Sequence, residues 1–505
     1  MSLATTQLAK ARPPATLMQT GAFRRLPPLP PTATCRRSHT QRQTGPQALS
    51  PHQVFAPLTR ERPVFRIREP VRVLREPCDF YVELLTGIER ARRRIVLSSL
   101  YIGSEETELV DCIRRAVERT PGMEVVVLLD CLRGTRVDSS RRSSASLLAP
   151  LAAHGVRVAL YHTPALSGLN KSAWPQRYNE TFGLQHIKAY VFDDDVVISG
   201  ANLSRDYFTN RQDRYMVLRD AQLADYFGGL VGAVSQFSFR LDKNAGVYLD
   251  KGIADPSRYP EDFVRDANAV VAEFLERAQA QHSVDPGDVS ESDTLAIPTV
   301  QMRQLGITQD EAHMGEFFAL SNAFARRHAC RSMMASAYFN FSPEYKAQVL
   351  SSAGRWDLLV ASPQANGFYA ARGISKYIPD MYSIIELEFL RNARKQYARQ
   401  DIAIEEYTRP GWTYHGKGVW CYLDQRLPQM TMIGSPNYGY RSIYRDLEAQ
   451  LTLIPGNAEL QTAIHQEALY LLSHSKMVSE SELSARTYDA PMWLYALKPF
   501  IYKKM

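Results

Sequence analysis

The stretch LQHIKAYVFDDDVVISGANLSRDYF, residues 184–208, alternates apolar and polar positions, turns at three consecutive aspartates and returns as an apolar run ending at Gly200 and Asn202. A period of two followed by a polar turn and a second apolar run predicts a β-hairpin. On a strand, residues i and i+2 share a face, so His186 and Lys188 project together while Ile187 and Ala189 point to the other side. Asp193 follows Lys188 at an odd spacing and is predicted to face away from the pair. The pattern recurs in TYHGKGVWCYLDQRLPQMTMIGSPNYGYRS, where His415 and Lys417 precede an apolar strand, a polar turn and a second strand ending in Gly434, Ser435 and Asn437. A third His-x-Lys, His474-Ser475-Lys476, lies in LQTAIHQEALYLLSHSKMVSE. Its surroundings have helical spacing and no returning strand, which predicts a solvated helix end.

The repeat runs beyond the hairpins. Eleven residues after each asparagine stands a carboxylate, Asp213 in one copy and Glu448 in the other. Upstream, RRIVLSSLYI (93–102) matches CRSMMASAYF (330–339) in polarity and in its aromatic end, and each is followed by a helical stretch and another apolar strand, MEVVVLLD or RWDLLVAS. Strands alternating with helices in two similar halves predict an α/β fold of two α/β/α repeats, packed with pseudo-two-fold symmetry around one shared cleft. The expected divisions are a tail over 1–60, a first half over 61–239, a linker with one amphipathic helix near 261–281 and an acidic loop over 240–312, and a second half over 313–505.

Charge changes the picture at one end. Residues 1–60 hold eight Lys or Arg and no Asp or Glu, so the formal +7 belongs to the tail and the remainder carries −1. A near-neutral body argues against a nucleic-acid substrate. The acid-free, Arg- and Ser-containing, proline-broken tail reads as a mitochondrial transit peptide. Six scattered cysteines without a C-x-x-C pair suit a reducing compartment and offer no zinc motif. No apolar run is long enough to span a bilayer. Membrane contact is therefore expected to be peripheral, with PMWLYALKPFIYKKM at the C-terminus mixing Trp493, Tyr495, Phe500 and Tyr502 with Lys498, Lys503 and Lys504.

Two histidines, two lysines and two asparagines meeting at one point can work on a phosphoryl group without a metal or cofactor. Lys188 and Lys417 would neutralise nonbridging oxygens, and Asn202 and Asn437, with Ser435, would donate hydrogen bonds. One imidazole can attack phosphorus while the other handles the proton of the leaving or entering oxygen. Each then needs a partner on its second ring nitrogen, for which Asp213 and Glu448 are the candidates. Arginines after each asparagine turn, Arg205, Arg211 and Arg214 in one copy and Arg441 and Arg445 in the other, are placed for an acceptor phosphate. The segment SPQANGFYAARGISKYIPDMY (362–382), with Arg372 and Lys376, is a candidate headgroup or acceptor loop.

These residues resemble the phospholipase D superfamily, whose signature is His-x-Lys-x4-Asp followed by a Gly/Ser-x-Asn turn in each of two repeats. The first copy matches at His186, Lys188, Asp193, Gly200 and Asn202. The second matches at His415, Lys417, Gly434, Ser435 and Asn437 and departs at the acidic position, where Tyr422 stands and Asp424 comes two residues late. Because that acid would face away from the pair, its loss is expected to touch packing more than chemistry. The resemblance implies two phospholipase D-like halves, catalysis by His186, Lys188, Asp193, His415 and Lys417, and a histidine-bound intermediate. HIKAYVFDDDVVISGANLSRDYFTNRQDRY, together with the transit-like tail, most resembles mitochondrial members that transfer a phosphatidyl group from CDP-diacylglycerol to glycerol 3-phosphate. The repeat leaves the two histidine roles interchangeable, with His186 favoured as nucleophile because its motif is complete, and it leaves the oligomeric state open. Other readings are a phosphodiesterase, a phosphatidylserine or cardiolipin synthase, or a membrane scaffold without catalysis.

Overall fold

The computed structural model describes residues 50–496 apart from 168–178, 285–287, 370, 372, 424–425 and 489. The proposed transit segment up to residue 49, Arg372, Asp424 and the terminal Lys498, Phe500, Tyr502, Lys503 and Lys504 lie outside the described residues.

Val-, Ile- and Leu-rich strands build two large sheets. The first runs, neighbour to neighbour, through Val247–Tyr248, Phe239–Leu241, Arg157–Tyr161, Glu124–Asp130, Arg94–Ser98, Ala189–Phe192, Asp195–Ser199, Tyr215–Arg219 and Arg72–Leu74. The second runs through Ser475–Met477, Ile402–Tyr407, Arg355–Ala361, Cys330–Ala335, Gly418–Leu423, Met430–Gly434, Glu448–Ile454, Thr294–Met302 and Phe65–Ile67. Shifted by one strand the two lists repeat one succession, with Val247–Tyr248 in the first and Phe65–Ile67 in the second left without counterparts. Three parallel strands carry helical crossovers, and the hairpin bearing the His-x-Lys motif is added antiparallel beside them. Strands covered on both faces read as nearly unbroken apolar runs, as VVVLLD and DLLVA do.

Between the sheets lies an apolar cluster fed by both, with Val96, Val126, Ile198 and Met216 from the first and Met333, Trp420, Ile433 and Leu451 from the second. Helices Ala221–Gln236, Pro260–Gln281 and Ala458–Ser473 pack into it. Full burial of each such side chain contributes about 1.5–3 kcal/mol, so the halves are held as one body. Arg214 adds a pin. It reaches from the first half to Glu467 with two bonds of 2.9 and 2.8 Å, donates to Met432 O at 2.6 Å and lies 3.7 Å over the Trp420 ring. Gly418, at φ +141°, makes room, since a Cβ there would meet Arg214 Nη1 at 1.9 Å. Arg214 is thus committed to the interior and is withdrawn from the phosphate-binding candidates.

Three boundaries differ from expectation. Residues 51–55 form a helix capped by Ser50, and Val54, Phe55 and Leu58 are buried in the second half's core, so this part of the expected tail is folded. Phe65–Ile67 pairs with Thr294–Ala296, which places the start of the first half on the second sheet. Thr294–Met302, expected in the linker, is a fully buried nine-residue strand pairing along Glu448–Ile454. Its apolar run TLAIPTV had been masked by the acidic loop before it. The predicted helix near 261–281 is Pro260–Gln281, opened by proline at its first position and by Glu261 and Asp262 in its first turn.

Candidate functional site

Each His-x-Lys pair sits just ahead of its strand, His186 and Lys188 before Ala189–Phe192, His415 and Lys417 before Gly418–Leu423. At that point the chain leaves its own sheet and pairs with the other half. Leu447 N donates to Leu184 O and His186 N to Leu447 O, both at 2.8 Å. Reciprocally, Arg211–Gln212 pairs in parallel with Thr413–Tyr414, and His415 N donates to Gln212 O at 2.7 Å. Each histidine is therefore carried beside the segment that holds the other half's carboxylate.

The consequence is a crossed pairing. His186 Nδ1 lies 2.9 Å from Glu448 Oε2, and His415 Nδ1 lies 2.6 Å from Asp213 Oδ2. An ionised carboxylate only accepts, which favours the proton on Nδ1 of each ring and leaves Nε2 with its lone pair; at His415 the Lys417 ammonium crowds the same ring, with Nζ 2.6 Å from Nδ1 and 3.2 Å from Nε2. Ser435 Oγ donates to Glu448 Oε2; it supports the carboxylate. Its counterpart Gly200 leaves space instead, since a Cβ there would stand 2.8 Å from Asp213 Oδ1 and 2.9 Å from Lys417 Cδ. That contact also shows the two motifs touching. Lys188 Nζ donates to His186 O at 2.8 Å and Lys417 Nζ to His415 O at 2.5 Å, with Asp213 Oδ2 3.5 Å away.

Burial sets the electrostatics. Both imidazoles are pushed well below their ordinary value, first by desolvation and then by the lysine beside each, which keeps them neutral. Desolvation lowers Lys188 to about 7 and Lys417 to about 8, and raises Glu448 to about 7 and Asp213 in the same direction. An arriving phosphate anion reverses the lysine shifts, since it supplies the opposite charge that burial removed.

The asparagines flank the pairs unequally. Asn202 Nδ2 donates to the Tyr207 hydroxyl at 3.1 Å, which lies 3.2 Å from His415 Nε2. The Oδ1 atoms of Asn202 and Asn437 are both buried without a partner among the described residues, so no bond to oxygen fixes either amide's orientation. Tyr207 was not legible in the sequence; its place five residues past Asn202 is taken by Ser442 in the other copy. Two further acids were missed in their present role. Asp130 accepts from Gln185 N at 3.0 Å and Asp446 from Leu184 N at 3.0 Å, fixing the backbone on the N-terminal side of His186.

Other candidates fall elsewhere. Asp193, at φ +53° in the hairpin turn, accepts from the backbone N–H groups of Arg92, Arg93 and Arg94 at 2.8–3.0 Å. Five residues of extended chain, roughly 16 Å, separate it from Lys188, so it anchors the sheet rather than the chemistry. Asp193→Ala is expected to lower the melting temperature by removing about 1–3 kcal/mol while leaving activity per folded molecule unchanged; a stable but inactive variant would return Asp193 to the site. Tyr422, at the second copy's acidic position, is a buried strand residue whose hydroxyl lies 3.1 Å from His465 Nδ1. In the third motif the helix ends at Ser473, and Ser475–Met477 forms an edge strand on Ile402–Tyr407 instead of a solvated helix end. Lys476 pairs with Glu482 in solvent.

The arginines separate as well. Arg205 is exposed, with its backbone N–H donating to Glu106 and its carbonyl accepting from Thr209 Oγ1. Arg445 donates to Thr181 O at 2.5 Å and lies over Tyr440. Arg441 pairs with Asp446 at 3.0 Å beside His186, and Arg211 lies over Tyr207 beside His415. In the 362–382 segment, Ala365 O accepts from Tyr414 N at 2.9 Å, which brings this loop to the mouth of the site.

Residues 84–229 match the family model described as cardiolipin synthase, PLD-like domain. The chain is 37% identical over 470 residues to the mitochondrial CDP-diacylglycerol–glycerol-3-phosphate 3-phosphatidyltransferase of Gallus gallus, covering 85% of this chain and 83% of the relative. It is likewise 37% identical over 465 residues to the protein of that name from Homo sapiens, covering 85% and 82%. The probable enzyme of Dictyostelium discoideum is 37% identical over 442 residues, 83% of this chain and 75% of the relative. Among solved structures, phosphatidylserine synthase of Haemophilus influenzae superposes with a TM-score of 0.66 at 19% identity, over 90% of this chain and all of that one, a likeness of fold.

Proposed function

The chain belongs to the CDP-diacylglycerol–glycerol-3-phosphate 3-phosphatidyltransferases, enzymes with a phospholipase D-like domain, and from that premise we propose how its residues carry the reaction. The phosphatidyl group passes from CDP-diacylglycerol to glycerol 3-phosphate, giving phosphatidylglycerophosphate and CMP. His186 Nε2 attacks the phosphatidyl phosphorus, a P–N bond forms and the P–O bond to CMP breaks. The acceptor hydroxyl then gives its proton to His415 Nε2 as its oxygen bonds to phosphorus and the P–N bond breaks; His415 afterwards releases that proton to solvent. Lys188, Lys417 and the amides of Asn202 and Asn437 hold the equatorial oxygens in both steps.

The observation that carries this reading is the crossed pairing of His186 with Glu448 and His415 with Asp213. The division of labour follows from the other ring nitrogen. His186 Nε2 has no partner among the described residues, whereas His415 Nε2 is in hydrogen-bond reach of both the Tyr207 hydroxyl and Lys417 Nζ, each at 3.2 Å. A lone pair already engaged is the poorer nucleophile, so the attack is assigned to His186 and the proton transfer is left to His415. Incubation with CDP-diacylglycerol, a panel of hydroxyl acceptors and EDTA tests the assignment. Phosphatidylglycerophosphate is expected only with glycerol 3-phosphate, and sustained release of CMP only with that acceptor, its absence leaving a burst of about one equivalent per enzyme; preference for serine or water, or a strict need for added metal, would refute it.

The site's charges also set a pH dependence. Both lysines must be cations to meet the phosphate, and in the empty site they lose that proton as pH rises through about 7 and about 8. Lowering the pH protonates Glu448 near 7, removing the acceptor that orients His186. A narrow bell for kcat/KM is expected, reporting the cluster as a whole. Because the bound donor anion raises the lysines, the alkaline limb of kcat should lie at higher pH; coincident alkaline limbs would contradict this.

Among the described residues no helix is long and apolar enough to cross a membrane. Mitochondrial residence with peripheral membrane contact fits the chain: Tyr369, Met492, Trp493 and Tyr495 are exposed, and the Trp493 ring packs 5.0 Å from Tyr377, near the loop at the site mouth.

A further inference from the structure

We propose that Arg211, caged by tyrosines beside His415, is a single phosphate subsite used twice in each turnover, first by the phosphate of departing CMP and then by that of incoming glycerol 3-phosphate. The inference rests on the function given above and on its two-step route. Displacement at phosphorus places the entering and leaving groups roughly in line. His186 holds one end in both steps, entering in the first and leaving in the second. CMP and glycerol 3-phosphate must therefore occupy the other end in succession, where His415 stands. The attacking hydroxyl of glycerol 3-phosphate lies three carbons from its phosphate, so a cation set that far back from the in-line oxygen receives the acceptor's phosphate during attack and the phosphomonoester of CMP once it has been released and withdraws.

Arg211 is the arginine on that side. Its guanidinium carbon lies 4.8 Å from the centroid of the Tyr207 ring, whose edge-on neighbour at 5.0 Å is the His415 ring. Its Nε donates at 3.0 Å to Thr413 Oγ1, two residues before His415. Tyr338 stands 6.5 Å from His415, completing the aromatic wall. Gly367 borders the same space, since a Cβ there would be in ordinary contact with the Tyr338 hydroxyl at 3.6 Å and with Arg211 Nη2 at 3.8 Å. The guanidinium is only weakly committed, since its carboxylate partner Asp206 is 3.4 Å away and mostly in solvent. The tether through Nε leaves the two terminal nitrogens to form a bidentate contact with a phosphate.

The other half carries the reverse arrangement. Counting back from the orienting carboxylate, two residues give Arg211 in one copy and Asp446 in the other, and seven residues give Asp206 and Arg441. The ion pair is kept with its signs exchanged. Arg441 is thereby placed on the His186 side and bonded to an Asp446 that also fixes Leu184 N, so it positions the nucleophile's segment and is remote from the acceptor.

The test uses full-length Arg211→Gln and Arg211→Lys, with Arg265→Ala on the exposed face of the Pro260–Gln281 helix as a surface control, and reads the KM for glycerol 3-phosphate, product inhibition by CMP, and the share of phosphatidic acid formed when water captures the intermediate. Loss of a charge-assisted contact predicts that Arg211→Gln raises KM and weakens CMP inhibition by about 10- to 100-fold each. The phosphatidic acid share should rise in parallel, Arg211→Lys should recover part of the loss, and Arg265→Ala should match the parent. Should the Gln variant fail to fold, the Lys variant carries the test. A KM change without a matching change for CMP, or an effect confined to Arg441→Gln, would overturn the shared subsite. Release of CMP from CDP-diacylglycerol without acceptor separates the two claims. If the parent protein shows none, the two-step function itself falls; if the parent releases CMP and Arg211 variants are indifferent, only the subsite falls.

Discussion

His186→Ala should release no CMP and trap no phosphatidyl-enzyme, whereas His415→Ala should release about one equivalent of CMP and then stop. The difference follows from the two oxygens that depart or enter. CMP leaves as a phosphate ester oxygen whose conjugate acid has a pKa of about 6, so it needs little help from an acid at neutral pH. The glycerol hydroxyl is a far weaker acid and must lose its proton as it attacks. Removing the nucleophile should cost about 10^6 in kcat by analogy with covalent hydrolases. Removing the base should cost about 10^2–10^4, concentrated in the second step. Rapid quench with labelled donor measures both. A burst from His186→Ala, with none from His415→Ala, would reverse the roles. His474→Ala should be silent in the same assay, because its ring packs on Tyr407 and Tyr470 and not on the site.

Glu448→Gln should reproduce the defect of His186→Ala, and Asp213→Asn that of His415→Ala, although each carboxylate belongs to the other repeat. An amide can donate to Nδ1 as well as accept from it, so the ring is free to take the tautomer that puts its proton on Nε2 and hides the reactive lone pair. In a histidine–aspartate pair of serine proteases the same change costs about 10^4 in kcat. Glu448→Gln should therefore suppress the burst, while Asp213→Asn should preserve it and block transfer. Both side chains are fully buried and similar in volume to their replacements, so thermal melts identify any loss due to misfolding. If Asp213→Asn suppressed the burst and Glu448→Gln spared it, the pairing would be within repeats and the site described above would be wrong.

Much of this site was readable from local spacing. The period of two in residues 184–208 and 413–434 marked the hairpins, and the eleven-residue interval to Asp213 and Glu448 marked the orienting acids, because side chains on neighbouring strands are set by fixed rises along the chain. The strand Thr294–Met302 was obscured by its polar approach. Tyr207 and Asp130 carried no periodic signal, since their roles depend on partners 208 and 55 residues away.

By itself the sequence determined the two-repeat α/β architecture, the phospholipase D-like motifs, and the set of histidines, lysines, asparagines and carboxylates available for phosphoryl chemistry. Only the tertiary structure decided that His186 pairs with Glu448 across 262 residues and His415 with Asp213 across 202. It likewise decided that Asp193 anchors a turn, that Arg214 is spent in the interior, and that Arg211 lies over the Tyr207 ring beside His415. The physical reason is range. Strand and helix periods are written in neighbouring residues, whereas the exchange of partners depends on two sheets burying a common apolar face, and that burial has no period along the chain.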